Sequence, residues 1–222
     1  MFTIRFWNVF VKLTGWLVQY FCFRTKLYYE DRSVQGRHIR GPAILVSNHT
    51  AVYDFAVYMF VFWSRCLRCQ MAELLFDKPM LGRLLRHFGG VRVDRTGHDF
   101  GFLTECQEIL EKGGVVEVFP EARIPRPGEA RPLEFKVSAA WLALASGVPV
   151  IPVVTNGAYF KFPKERARVL IGKPLLAADL TEEGLDEKEN LRLVTERLRA
   201  RIIELEKLLN ERETEQKGTN KQ

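Results

Sequence analysis

Residues 47–54 place a histidine and an aspartate five positions apart in the run Ser47, Asn48, His49, Thr50, Ala51, Val52, Tyr53, Asp54. Five is not a same-face helical spacing. The two side chains meet only if His49 lies in a strand-to-helix turn and Asp54 in the first turns of the helix that follows. That arrangement suits transfer to an alcohol. A hydroxyl is far too weak an acid to ionise near neutral pH, so a base must take its proton as it attacks. A neutral imidazole does this when a carboxylate holds its other nitrogen and stabilises the imidazolium. Taken alone, a histidine at a strand end is more often structural or a helix cap.

Three further runs carry chemistry. In Gly89, Gly90, Val91, Arg92, Val93, Asp94, Arg95, the glycines permit a tight turn into a short strand. Alternation puts Arg92 and Asp94 on one face and Arg95 on the other. The planar fork of an arginine at a strand end fits a phosphate, although a surface ion pair to Asp94 accounts for the run equally well. From Val116 to Arg126 a β-rich run feeds a proline turn bearing Glu121, Arg123 and Arg126, at the kind of strand end where α/β sheets bind ligands. A plain charged loop is the simpler reading. In 147–154, Pro149 and Pro152 inside an apolar strand point to an edge or interrupted strand able to line an acyl pocket. No G-x-S-x-G elbow and no phosphate-loop pattern is present, so nothing in the chain supports a covalent intermediate.

These runs need a scaffold, and the hydrophobic periodicity supplies one. Short β-rich runs at 43–46, 68–71, 91–93, 115–119, 148–154 and 168–171 alternate with helical stretches at about 52–64, 79–87, 99–112, 135–146 and 188–210. This pattern predicts one α/β domain, a mixed β-sheet covered by helices. The last helix carries Leu191, Val194, Leu198, Ile202, Leu205 and Leu209, a stripe expected to pack on its own domain, with dimerisation as the alternative. Past Glu211 the apolar pattern stops, and 211–222 reads as a disordered tail.

The N-terminus differs. In 4–23 the polar positions Arg5, Asn8, Lys12, Gly15 and Gln19 fall on one narrow helical stripe, and the rest of the cylinder is apolar. Residues 6–23 reach only ~27 Å as a helix, just short of a bilayer's hydrocarbon core. With Lys12 near its middle, the helix is expected to lie in a membrane interface as an amphipathic docking segment over 1–30; burial in a protein core is the rival. No small-residue cleavage site follows Phe23.

Bulk composition agrees. The 222 residues are 47% hydrophobic and 27% charged, with sixteen Phe and four Trp, and the aromatics crowd the first 62 positions. The net charge is +6, concentrated before residue 41, and the region from Asp179 onward is acidic. A basic, aromatic N-terminus suits an anionic membrane face. Nucleic acid is excluded as a partner, since no nucleic-acid-binding signature accompanies the charge. Cys66 and Cys69 have ligand-like spacing but no second pair completes a zinc site, so Cys22, Cys66, Cys69 and Cys106 are expected to be reduced, in a cytosolic setting.

In order, the four motifs are N-H-x-x-x-x-D, G-x-x-V-D-R, F-P-E and V-P-V-I-P-V. Together they make the chain resemble the 1-acyl-glycerol-3-phosphate (lysophosphatidate) acyltransferase family over about 25–205. The resemblance implies that His49 and Asp54 are the catalytic pair and that Arg95 and Glu121 help seat the acceptor's glycerol phosphate. The expected reaction is direct attack of the acceptor hydroxyl on the thioester of acyl-CoA or acyl-carrier protein, with no metal or other cofactor. The expected place is the cytoplasmic face of a membrane, with the acyltransferase domain over 31–210. Two departures bear on the acceptor. The family usually continues F-P-E-G-T-R-S, and here Ala122, Arg123 and Ile124 follow Glu121. Arg123 or Arg126 is therefore expected to hold the phosphate in place of the usual arginine. The lysine often found near Met71, Ala72, Glu73 and Leu74 is absent. Another lyso-lipid acceptor, such as an amino-acid-containing lipid, therefore stays open, as does a non-catalytic lipid-binding role, against which the intact dyad speaks.

Overall fold

Alternation along short strands sorts the side chains onto two faces of one sheet. The computed structural model describes residues 2–94, 100–161 and 164–219. Its strands are β1 (Lys26–Tyr29), β2 (Ala43–Ser47), β3 (Leu67–Ala72), β4 (Gly90–Val93), β5 (Val115–Val118), β6 (Val150–Thr155) and β7 (Arg168–Ile171). They lie in the order β1-β7-β6-β2-β5-β3-β4. Every neighbouring pair is parallel except β6 and β7, so the sheet is mixed. Parallel strands need crossovers, and these carry the helices α2 (Asp54–Val61), α3 (Glu73–Phe76), α4 (Pro79–His87), α5 (Gly101–Glu111) and α6 (Ser138–Ser146); α1 (Phe2–Val18) precedes the sheet and α7 (Glu187–Thr219) follows it.

The strand period of two divides the core. Ile44, Val46, Val116 and Val118 face α5, α6 and α7, where Leu110, Leu142, Leu198 and Ile202 complete one apolar layer. Ala43, Leu45, Val115 and Ile151 face the other way, against Val57 and Tyr58 of α2, Phe62 just after it, and Phe23. Strands buried on both faces read as continuous apolar runs, as 43–46 does. The stripe on α7 packs on its own domain: Val194, Leu198, Ile202, Leu205 and Leu209 are all buried there.

Three expectations need correction. The two-proline strand is not at an edge, since β6 lies between β7 and β2. Pro152 is tolerated because it falls just past the antiparallel pairing with β7: its carbonyl accepts the Gly172 N–H at 2.9 Å, and the absent proline N–H forgoes a single bond. The tail expected to be disordered from 211 instead continues α7 as far as Thr219. Arg212 donates to the Tyr29 carbonyl and Glu213 pairs with Arg168 at 2.6 Å, so polar contacts to β1 and β7 take over where the apolar stripe ends. Residues 220–222 lie outside the described residues. Finally, β1 and the single turn α3 were not expected. Each is four residues long, too short for periodicity to register.

The N-terminal helix is built inside out. Asn8 and Lys12 of the polar stripe are each 2% exposed. The Lys12 amine donates to the carbonyls of Trp63 (2.9 Å) and Arg65 (2.6 Å), at the end of α2. Gly15 lies against the Phe60 ring, where an added Cβ would approach to 3.0 Å. Phe6, Val9, Phe10, Leu13, Trp16 and Leu17 are exposed on the opposite side. After Val18 the helix widens into a π turn, Gln19–Phe23, and stops at Arg24 in a left-handed conformation. No helix among the described residues is long and apolar enough to cross a membrane.

Candidate active site

β2 ends at Ser47 and α2 begins at Asp54, and the loop between them folds around the Asp54 carboxylate. Oδ2 accepts the backbone N–H of Thr50 (2.7 Å), that of Ala51 (3.0 Å) and Nδ1–H of His49 (2.9 Å). Oδ1 accepts Thr50 Oγ1–H at 2.8 Å and the Tyr159 hydroxyl at 2.6 Å. Asp54 is fully buried, and a buried carboxylate is tolerated when its lone pairs are filled in this way. Its position in the first turn of α2 adds the favourable end of the helix dipole. Because an ionised carboxylate only accepts, Nδ1 of neutral His49 carries the proton and Nε2 keeps its lone pair. The His49 side chain is 21% exposed, and Nε2 has no partner among the described residues. This is the strand-to-helix arrangement expected from the spacing.

Distant elements hold the histidine in place. Phe119, just after β5, stacks on the imidazole with centroids 4.4 Å apart and planes 22° apart. The His49 N–H is donated to Glu121 Oε1 at 2.7 Å, and Glu121 Oε2 accepts the Leu133 N–H at 2.8 Å. Asn48 is clamped to the end of β6: Nδ2 donates to the Thr155 carbonyl (2.9 Å) and Oδ1 accepts the Thr155 N–H (3.0 Å). The same Nδ2 reaches Glu206 of α7 at 2.7 Å. Burial pushes the pKa values of both Glu121 and Glu206 up, against the hydrogen bonds each accepts.

The residues expected to seat a phosphate are placed unevenly. Glu121 is 4% exposed and both its oxygens are engaged with backbone amides, so here it braces the His49 loop. Arg123 grips Glu129 with two hydrogen bonds, at 2.6 and 2.9 Å, and Glu129 also accepts the Arg126 N–H. The Arg123 guanidinium, ahead of the Arg126 amide, lowers Glu129 to about 2. Arg123 and Arg126 are exposed in the loop that leaves Glu121. Arg95 lies outside the described residues. Arg92 approaches Asp77 at 3.9 Å on the surface. Ala122 has a φ of +59°, a left-handed conformation that glycine adopts freely and that costs an L-residue about 1 kcal/mol or more. The departure from F-P-E-G thus keeps the turn and strains it.

Sequence reasoning missed Tyr159, Phe119 as a stacking partner, Glu206 and Arg131. Arg131 is exposed and its positive charge acts on Glu121 and Glu206. Its presence as a third arginine in the charged loop was the one available signal.

The site lies where β2, β5 and β6 end, the crevice at which open parallel sheets take ligands. The arrangement leaves a ring nitrogen able to take a proton from a hydroxyl. Comparison with known proteins points the same way. A family model described as Acyltransferase matches residues 24–156. The 1-acyl-sn-glycerol-3-phosphate acyltransferase beta of Homo sapiens is 29% identical over 148 residues, covering 65% of this chain and 52% of its own. The 1-acyl-sn-glycerol-3-phosphate acyltransferase of Bacillus subtilis is 31% identical over 140 residues, covering 62% and 67%. That of Escherichia coli is 28% identical over 182 residues, covering 78% and 72%. The match spans about half the length of the human relative and of two plant relatives, from Limnanthes alba and Brassica napus. The crystal structure of the 1-acyl-sn-glycerophosphate acyltransferase from Thermotoga maritima shares the fold, with a TM-score of 0.62 at 22% identity over 91% of this chain and 81% of that one.

Proposed function

The chain belongs to the acyltransferase family, and from that premise we propose that it moves a fatty acyl group from acyl-CoA or acyl-carrier protein to the free hydroxyl of 1-acyl-glycerol-3-phosphate, giving phosphatidic acid for phospholipid synthesis. The observation that carries this reading is the buried Asp54 holding Nδ1 of His49 at 2.9 Å while Nε2 stays available. Nε2 takes the hydroxyl proton as the oxygen attacks the thioester carbonyl. The tetrahedral intermediate collapses by breaking the C–S bond, and the departing thiolate takes the proton back from the imidazolium. Asp54 orients the ring and stabilises its transient charge. Arg123, Arg126, Arg131 and Arg95 are the cations assigned to the acceptor's phosphate, with Arg123 exchanging Glu129 for it.

The membrane is the second part of the proposal. The outward face of α1, with Leu13 60% exposed, is an apolar surface that docks in the interface on the cytoplasmic side, where both thioester donors occur. The basic residues Arg24, Lys26 and Arg32 add attraction for anionic lipid.

A specific observation favours a second acceptor reading. Ile124 replaces an arginine and Arg123 is already engaged by Glu129, so a different lyso-lipid fits the loop as well. One assay separates these readings: purified full-length protein with a panel of lyso-lipids and both donor types, beside His49→Ala. Transfer to lysophosphatidate above the others, falling ~10²–10⁴-fold in the variant, supports the first reading. Preference for another lyso-lipid supports the second, and no transfer from either donor overturns both.

A further inference from the structure

A cleft of about 710 Å3 opens at the other end of the sheet, where the N-terminal half of α1 crosses the starts of β3 and β5. From Gly114 at its wall to Phe119 on His49 is roughly 16 Å of strand, at ~3.3 Å per residue. Its acids are already used: Glu105 pairs with Arg68 at 2.8 Å and Glu108 with Lys112 at 2.9 Å. Arg5, Lys12 and Arg65 also line it and have no acidic partner among the described residues. Arg65 donates to the carbonyls of Ile39 and Gly113. Lys12 donates to two carbonyls as well, which leaves one ammonium proton without an acceptor among the described residues. Burial lowers the Lys12 pKa to about 8, with neighbouring Cys66 opposing the shift.

Asn8 supplies an independent sign of a missing ligand. It lines the cleft, is 2% exposed, and its Nδ2 donor has no hydrogen-bond partner among the described residues. An unmet buried donor is costly, and native structures rarely leave one without a partner. An amide N–H, an ammonium and two guanidinium groups converging on one cleft present only donors and positive charge. The complementary group is an acceptor-rich anion such as a phosphate.

The rim favours a phosphate that carries lipid. Val9 (55% exposed) and Trp63 (40% exposed) line the cleft and continue into the outward apolar strip of α1 through Phe6, Phe10 and Leu13. A soluble anion would have no use for that strip. We infer that the cleft binds the phosphate of an anionic membrane lipid, headgroup against Arg5, Asn8, Lys12 and Arg65, acyl chains along α1, at a site separate from the acceptor site. Such a lipid bridges α1 and the domain, and so fixes the pose in which the enzyme docks.

The orientation at the membrane comes from the function proposed above, but the test is run in solution and reads binding whether or not acyl transfer is found. Dihexanoyl phosphatidylglycerol, below its critical micelle concentration, is titrated calorimetrically into full-length His49→Ala protein. The same background then carries Arg5→Gln, Arg65→Gln or Arg123→Gln. Arg5→Gln and Arg65→Gln are each expected to weaken binding about fivefold, and Arg123→Gln to leave it unchanged. Arg5 is exposed and outside the described hydrogen bonds, so its variant keeps the test valid if Arg65→Gln fails to fold. Unchanged binding in Arg5→Gln overturns the site. If inorganic phosphate or free CoA binds as tightly, with the same sensitivity to Arg5, the occupant is a soluble anion and the lipid assignment is wrong.

Discussion

Tyr159 donates its phenolic proton to Oδ1 of Asp54 at 2.6 Å, while Oδ2 of the same carboxylate holds His49 at 2.9 Å. Burial first, and the charge of Asp54 second, push the phenol's pKa up, so it remains a donor throughout the physiological range. Tyr159→Phe leaves Thr50 Oγ1 as the remaining partner of Oδ1. A hydrogen bond to a charged group is worth about 1.5–3 kcal/mol. The variant is expected to lose about that much stability in denaturant unfolding and to show a lower kcat at a similar acceptor KM. Parent-like stability and turnover would make the ring simple packing against Phe23.

Glu121 braces the main chain of His49 in this structure, whereas the family resemblance assigns it to the acceptor. Glu121→Gln presents an amide to two N–H donors and can satisfy only one. As a brace, the residue should affect kcat by tenfold or so, in the range of a displaced base, with little change in acceptor KM. A raised acceptor KM at normal kcat would return Glu121 to direct substrate contact.

Glu117 predicts a pH effect on stability. It is fully buried in β5, between Leu45 and Cys69 in register, and neither oxygen has a partner with hydrogen-bond geometry among the described residues. Burial, then the charge of Asp54, raise its pKa well above the ordinary carboxylate value. The folded state therefore keeps the proton while the unfolded state gives it up. Stability present below the unfolded pKa erodes by about 1 kcal/mol or slightly more per pH unit above it, until the pH passes the folded pKa. Glu117→Gln has the same shape and cannot titrate, so its unfolding free energy should gain on the parent as the pH rises above the ordinary carboxylate pKa. A gap that does not change with pH would mean that the folded protein holds an ionised Glu117.

The inside-out helix separates folding from docking. Leu13 and Leu17 are 60% and 48% exposed, so Leu13→Glu with Leu17→Glu should leave thermal stability nearly unchanged, as for ordinary surface substitutions. Vesicle co-sedimentation should fall sharply, because two charges are moved into the apolar boundary. Equal pelleting of variant and parent would place the membrane contact elsewhere.

The sequence by itself determined what depends on near neighbours. His49 and Asp54 meet because one loop and one helix start bring them together, and five residues suffice to specify both. The alternation of strands and helices was legible because periods of two and 3.6 are local patterns. Glu121, Arg123 and Arg126 were legible as one charged turn, although their division into a brace and an Arg123–Glu129 pair was not.

The tertiary structure alone decided which remote groups complete the site. Phe119, Tyr159 and Glu206 reach the His49 loop from β5, β6 and α7, and no spacing in the chain encodes that convergence. It alone decided that Pro152 sits inside the sheet, at the end of the pairing with β7, where its missing N–H forgoes a single bond. It also decided the direction of α1. A stripe of Asn8, Lys12 and Gly15 is the same string of residues whether it faces water or protein. It turns inward here because the carbonyls of Trp63 and Arg65 at the end of α2 offer Lys12 the hydrogen bonds that burial would otherwise deny it.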